Sequence, residues 1–187
     1  PTAQRLLELA NAPIAAPSAN PSGRISPTTA QHVLDGLFGK IAAVLDDGAC
    51  TVGLESTILG LAPDVALLRH GGVAVETIEK MLSVGLSQET PKTITAPGQM
   101  ESHYAPNEVV RLNVSSAMSD ELFLGFGPMQ CDLNLSENAD LIVAAANLFD
   151  HLHQLDKIGK PIAIAPIPQT GLGRAINDRL RRAAAPR

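Results

Sequence analysis

A chain of 187 residues with 45% apolar side chains can bury one sizeable core or two small ones; with 3% aromatics and no Trp, that core has to be built from Ala, Val, Ile and Leu. A net charge of −5 excludes a generally basic nucleic-acid-binding surface, though not a local basic patch. Cys50 and Cys131 stand far apart outside any CxxC pattern, and there is neither a charged-then-apolar leader nor an apolar run of spanning length, so the expectation is a cytoplasmic protein with reduced thiols and no membrane partner.

Thr2 to Ala10 carries Leu6, Leu7 and Leu9 among polar residues and predicts a helix that stops near Asn11, ahead of Pro13. The chain opens on Pro1 already at the front of that helix, and so reads as a piece of a longer product. An apolar strand over 13–16 leads into Ala15-Ala16-Pro17-Ser18-Ala19-Asn20-Pro21-Ser22-Gly23-Arg24-Ile25-Ser26-Pro27. Its prolines fix φ at three places and hold each preceding residue extended, so Ser18, Asn20, Ser22 and Ser26 are displayed on a stiff backbone. Gly23 admits a sharp turn, and Ser26-Pro27 reads as an N-cap followed by the first helical residue. Hydroxyls, open helix N–H groups and Arg24 would together suit an anion, phosphate foremost; a plain capped turn between a strand and a helix fits the same residues.

The helix predicted from Pro27 to Phe38 buries Ala30, Val33, Leu34 and Leu37. A strand over 41–45 closes on Asp46-Asp47-Gly48. A hairpin pairs 56–61 with 65–69 across Ala62-Pro63-Asp64, and a helix over Val75–Leu82 turns Ile78, Met81 and Leu82 to its apolar side. From Leu86 to Asn107 periodicity is lost, which predicts an interdomain linker. Strands over 109–112, 121–126 and 161–167 then alternate with a long helix over 137–157, striped by Ile142, Ala145, Ala146, Phe149, Leu152 and Leu155, and a last helix over 171–184. That alternation predicts a small α/β layer with a largely parallel sheet.

Gly53-Leu54-Glu55-Ser56-Thr57 sets two hydroxyls and a carboxylate at the start of a strand, an ordinary feature unless other parts converge on it. Arg69, before His70-Gly71-Gly72, ends a strand with a fixed cation suited to phosphate or simply to solvent. Tyr104 lies where no regular core is predicted, so it must pack on a domain or cover a ligand. The histidines have no metal-ligand spacing with cysteines or carboxylates, and no G-x-S-x-G is present. Gln169 to Arg174 matches the first part of a dinucleotide fingerprint, but Ile176 replaces its third glycine and no further strand completes a βαβ unit. Arg174, Arg179, Arg181 and Arg182 against Asp178 make the one basic patch, read as a solvated face ahead of an RNA contact.

Taken together, Ala15-Ala16-Pro17-Ser18-Ala19-Asn20, Ser22-Gly23-Arg24, Ser26-Pro27-Thr28, Gly53-Leu54-Glu55-Ser56-Thr57-Ile58 and Leu68-Arg69 with Gly71 resemble the YrdC-type threonylcarbamoyl-AMP synthase family. Ala96-Pro97-Gly98 with Ser102-His103-Tyr104-Ala105-Pro106, and Gly171-Leu172-Gly173 with Ala175 to Leu180 and Arg182-Ala183-Ala184, resemble the linker and second domain of its long form. The resemblance implies an α/β chain: residues 1–85 as the C-terminal part of a YrdC-like twisted-sheet catalytic domain, 86–107 as linker, and 108–187 as a Rossmann-like accessory domain. It implies the condensation of L-threonine, bicarbonate and ATP to threonylcarbamoyl-AMP and pyrophosphate, with Mg2+ accompanying ATP. The product would supply the transferase machinery that makes N6-threonylcarbamoyladenosine in tRNA. By the same resemblance Ser18, Ser26, Arg69 and Tyr104 meet ATP, Ala16 and Ser56 border threonine, and Asn20 and Thr57 support them. No covalent nucleophile and no resident metal are implied. A non-catalytic module holding nucleotide, tRNA or double-stranded RNA is the alternative. His70 stands where the family has proline, and the family's phosphate-clamping N-terminal half is not among these residues, so the expectation is a C-terminal fragment nearly inactive alone.

Overall fold

The computed structural model describes residues 2–87, 96–98 and 100–186. Helix α1 (Thr2–Ala10) forms as expected, yet none of its residues is buried, and Leu6, Leu7 and Leu9 face solvent. The stretches 13–16 and 41–45 are irregular instead of extended, with Ile14, Ile41 and Leu45 exposed. A strand is completed by ladder partners, and among the described residues no strand pairs with either stretch.

Helix α2 (Ala30–Leu37) starts later than the sequence suggests. Thr29, not Ser26, is its cap: Thr29 has extended backbone angles and its hydroxyl accepts from the His32 N–H at 3.2 Å. Strands β1 (Ile58–Gly60) and β2 (Ala66–Arg69) form the predicted antiparallel hairpin. Helix α3 (Val75–Leu82) closes a small core of Leu67, Val75 and Leu86, with Ile78 packed against it; Met81 and Leu82 are exposed.

The C-terminal half holds β3 (Val110–Arg111), β4 (Leu122–Gly125), β5 (Leu133–Asn134), α4 (Leu141–Asp156), β6 (Ile162–Ile164) and α5 (Gly173–Ala183). The strands form one parallel sheet in the order β3-β6-β4-β5, as the alternation of elements predicts. Both β4 and β6 are buried at every residue, and their Leu, Phe, Ile and Ala runs suit a sheet covered on both faces. The unpredicted β5 is two part-buried residues at the sheet edge, too short to leave an apolar signature. Asp140 caps α4 by accepting from the Ile142 and Val143 N–H groups. The buried stripe of α4 runs through Ala144, Ala145, Leu148, Phe149, Leu152 and Leu155, leaving Ile142 exposed.

The two halves interlock through backbone. A Cβ at Gly53 would stand 2.2 Å from the Ala145 carbonyl oxygen and 2.6 Å from the Ala146 Cα, so the segment leading to β1 lies directly on α4. Ile25 and Tyr104 are part of the same apolar cluster as Phe149, Leu152 and Ile176. Residues 88–95 and Gln99 of the expected linker lie outside the described residues, but its end is built in: Tyr104 and Ala105 are buried, the Ala105 N–H donates to the Gly23 carbonyl, and the His103 N–H donates to that of Arg182.

Candidate functional site

Ser26 follows Ile25 into the protein, and its buried hydroxyl donates to Glu55 Oε1 at 2.7 Å. The other Glu55 oxygen accepts two bonds from Arg179, from Nε at 3.1 Å and Nη2 at 2.9 Å, a fork that a planar guanidinium suits and an ammonium does not. Arg179 reaches there because it occupies the buried face of α5 with Ala175, Ile176, Leu180 and Ala183; its side chain is 0% exposed. Its Nη1 donates to the His70 carbonyl at 2.6 Å and lies 3.2 Å from Asp178 Oδ2. The Tyr104 ring, 5.3 Å from the Arg179 guanidinium carbon, covers the cation.

A second grip holds Ser26 from behind. His153 Nε2 is 3.2 Å from the Ser26 carbonyl oxygen, so this nitrogen carries the proton. The His153 ring stacks on His32 at 3.9 Å, and His32 Nδ1 accepts from the Thr28 N–H while its Nε2 faces Asp150 at 3.3 Å. Burial is the largest influence on both imidazoles and holds each below the ordinary histidine pKa.

Next along the chain, Arg69 donates from Nε and Nη2 to the Ser56 carbonyl at 3.1 and 2.8 Å and from Nη1 to the Pro97 carbonyl at 3.1 Å. With a longer bond from Nη2 to Ser56 Oγ at 3.5 Å, these use four of the five N–H groups on a half-buried guanidinium. Thr57 ties the hairpin to the turn before α3, its hydroxyl donating to the Val73 carbonyl and accepting from the Val73 N–H. Gly71 has to be glycine for this crossing: a Cβ there would stand 2.3 Å from the Thr57 nitrogen.

The structure therefore brings Ser18 and Ser26 together on a cavity of about 460 Å³ that Glu55 and Phe149 also line. Ser56, next in sequence to Glu55, and Arg69, which donates to the Ser56 carbonyl, are not among its walls. Asn20 donates from Nδ2 to the Pro21 and Arg24 carbonyls, and Ala16 lies exposed ahead of Ser18. Three expectations are corrected. Ser26 is neither the helix cap nor a free donor: its proton goes to a carboxylate and Thr29 caps the helix, while exposed Arg24 donates one N–H to Asn107 at 2.7 Å. Tyr104, at 2% exposure, packs between Arg179 and Phe149 instead of standing over an open site. The arginines of α5 are not one solvated face: Arg179 is buried, Arg182 bonds Asp178 and the Met100 carbonyl, and Arg174 faces Glu76, while Arg181 is exposed and pairs with Asp178. The importance of Arg179 was legible as an arginine in the middle of an apolar 3.6-residue stripe.

Among the described residues no group of three or more His, Cys, Asp or Glu side chains could hold a metal ion, both cysteines are free thiols, and no helix is long and apolar enough to cross a membrane.

Fold and site together define a two-part α/β protein in which a hairpin-bearing front half and a parallel-sheet half share one hydroxyl–carboxylate–guanidinium cluster. Residues 73–185 match the family described as threonylcarbamoyl-AMP synthase, C-terminal domain, and residues 1–71 match one described as telomere recombination. The chain belongs to the threonylcarbamoyl-AMP synthase family. It is 35% identical to the threonylcarbamoyl-AMP synthases of Pyrococcus abyssi and Bacillus subtilis, over 97% and 100% of its own length and 61% of each of theirs. It spans about three fifths of those curated relatives. Among solved structures, P. abyssi Sua5 complexed with L-threonine superposes with a TM-score of 0.85 at 32% identity, covering 97% of this chain and 61% of that one. A variant of the same protein with an adjacent histidine and tyrosine both replaced by alanine gives 0.82 at 32% identity, over 97% and 60%.

Proposed function

We propose that this chain supplies part of a threonylcarbamoyl-AMP synthase that condenses L-threonine, bicarbonate and ATP and releases pyrophosphate, in the pathway to N6-threonylcarbamoyladenosine in tRNA. The observation that carries the reading is that Ser18, Ser26 and Glu55, from separated stretches, line one cavity, with Ser56 following Glu55 and Arg69 bonded to the Ser56 carbonyl outside its walls. The relatives' names and the threonine complex of P. abyssi Sua5 support it.

In this reading a carbamate oxygen of N-carboxythreonine attacks the α-phosphorus of ATP, the bond to the bridging oxygen breaks, and its electron pair leaves with pyrophosphate. No residue has to form a covalent bond; positioning and charge stabilisation carry the step. Ser18 and Ser26 border the nucleotide, Ala16 and Ser56 border threonine, and the remaining N–H of Arg69 faces a phosphate. Mg2+ would accompany ATP, held by its phosphates, and Glu55, with both oxygens engaged by protein, is not assigned to it. Tyr104 acts from beneath the site, holding Arg179. It is the chain's one tyrosine and follows His103 directly, the residue pair type altered in the P. abyssi variant. The burial of Arg179, the pairing of Arg181 and Arg182 with Asp178 and the charge of −5 weigh against an RNA-holding module, and two free thiols suit the cytoplasm.

The test is pyrophosphate release by the natural gene product that carries these residues. It should need ATP, L-threonine and bicarbonate together. Release that ignores threonine and bicarbonate would overturn the reading.

A further inference from the structure

The C-terminal half reaches Ser26 directly at its carbonyl and, through Glu55, at its hydroxyl. Through Glu55, Arg179 of α5 fixes where the hydroxyl proton points, and His153 of α4 donates to the carbonyl. The Glu55 backbone is held by the Gly72 N–H, which donates to its carbonyl at 2.9 Å, while its side chain is 21% exposed and its two carboxylate oxygens are divided between Ser26 and Arg179. A hydroxyl whose proton is committed to a carboxylate offers a ligand lone pairs in a fixed direction, whereas a free hydroxyl rotates. The carboxylate itself stays put because a buried guanidinium fork clamps it, and the fork stays put because Tyr104 and the His70 carbonyl hold it.

We propose that Arg179 and His153 are positioning residues for the nucleotide: from the C-terminal half they set the orientation of the Ser26 hydroxyl and backbone, so this half completes the ATP contact made by the front half. This rests on the reading of Ser26 as an ATP contact. It gives the accessory half a role inside the site that neither residue's place in the sequence suggests.

The experiment measures ATP and L-threonine affinity by calorimetry in the natural gene product, for Arg179→Lys, His153→Leu and His153→Gln, each with and without Ser26→Ala. Arg179→Lys keeps the charge and loses the fork; His153→Gln can keep an N–H toward the carbonyl and His153→Leu cannot. The expected result is ATP binding weakened about tenfold by Arg179→Lys and by His153→Leu, restored in His153→Gln, with threonine affinity changed by less than about twofold. In the Ser26→Ala background Arg179→Lys should cost almost nothing further, because both changes remove the same contact. Equal losses for ATP and threonine, or an undiminished loss in the Ser26→Ala background, would mean a structural role only and overturn the proposal. If Arg179→Lys does not fold by circular dichroism, Glu55→Gln enters the same cycle with the same expectations. Wild-type protein that binds no ATP would remove the functional reading and this one with it, whereas normal ATP binding with an additive cycle would remove this one alone.

Discussion

Arg179 Nη2 lies 2.9 Å from Glu55 Oε2, joining residues 124 positions apart across the two halves of the chain. The guanidinium is fully buried and the carboxylate partly so. Removing one partner of such a pair leaves the other desolvated, at a cost at the lower end of the usual range because Glu55 keeps some solvent. Arg179→Ala should therefore destabilise the protein by about 3 kcal/mol in urea unfolding. A loss under about 1 kcal/mol would place the pair among ordinary surface bridges.

Gly53 and Gly23 share a left-handed backbone but differ in surroundings. Gly53 has φ +73 and a would-be Cβ 2.2 Å from the Ala145 oxygen, while Gly23 has φ +79 and nothing within 4 Å. Gly23→Ala should cost about 1 kcal/mol for the backbone alone. Gly53→Ala must also push the front half off α4, and should cost roughly 1–3 kcal/mol more. Equal melting points for the two variants would contradict that close docking.

Thr29 and Ser26 separate capping from ligand contact. Thr29→Ala removes the hydroxyl that accepts from the His32 N–H and should lower stability by about 1 kcal/mol while leaving ATP affinity unchanged. Ser26→Ala should weaken ATP binding. The opposite pattern, with Ser26→Ala acting as a helix-cap mutation, would restore the reading taken from Ser26-Pro27.

The histidines set a pH dependence. Burial is the largest influence on His32, His70, His103, His151 and His153, and it lowers each pKa from the ordinary 6.5. A lowered folded pKa means that below pH 6.5 the unfolded chain binds protons that the folded chain refuses, so stability is complete above that pH and falls on acidification. The stack of His32 on His153 adds like-charge repulsion if both are protonated. The urea midpoint should be lower at about pH 5.5 than at about pH 7.5, a window above the usual carboxylate range. A midpoint that stays level or rises would contradict the burial of neutral imidazoles.

What the sequence made legible is where local pattern and final surroundings agree. The alternation from Val109 onward yields the parallel sheet, and the Ala62-Pro63-Asp64 turn yields the hairpin. The stretches 13–16 and 41–45 failed because apolar composition specifies burial but not a ladder partner. Ser26 was misread as a cap because a serine before proline fits an N-cap locally, whereas its hydroxyl is claimed by Glu55, 29 residues on. Arg179 was read as solvent-facing because charge counts on a helix ignore face. Its position between Ile176 and Ala183 on the buried side of α5 was the better guide.

The most direct test is a crystal structure of the natural gene product with L-threonine and a non-hydrolysable ATP analogue. The nucleotide should lie against Ser18 and Ser26 with Arg69 at a phosphate, threonine should lie beside Ser56, and the Glu55–Arg179 fork should be intact beneath both. Ligands bound away from the Ser26–Glu55–Ser56 cluster would contradict the proposed site.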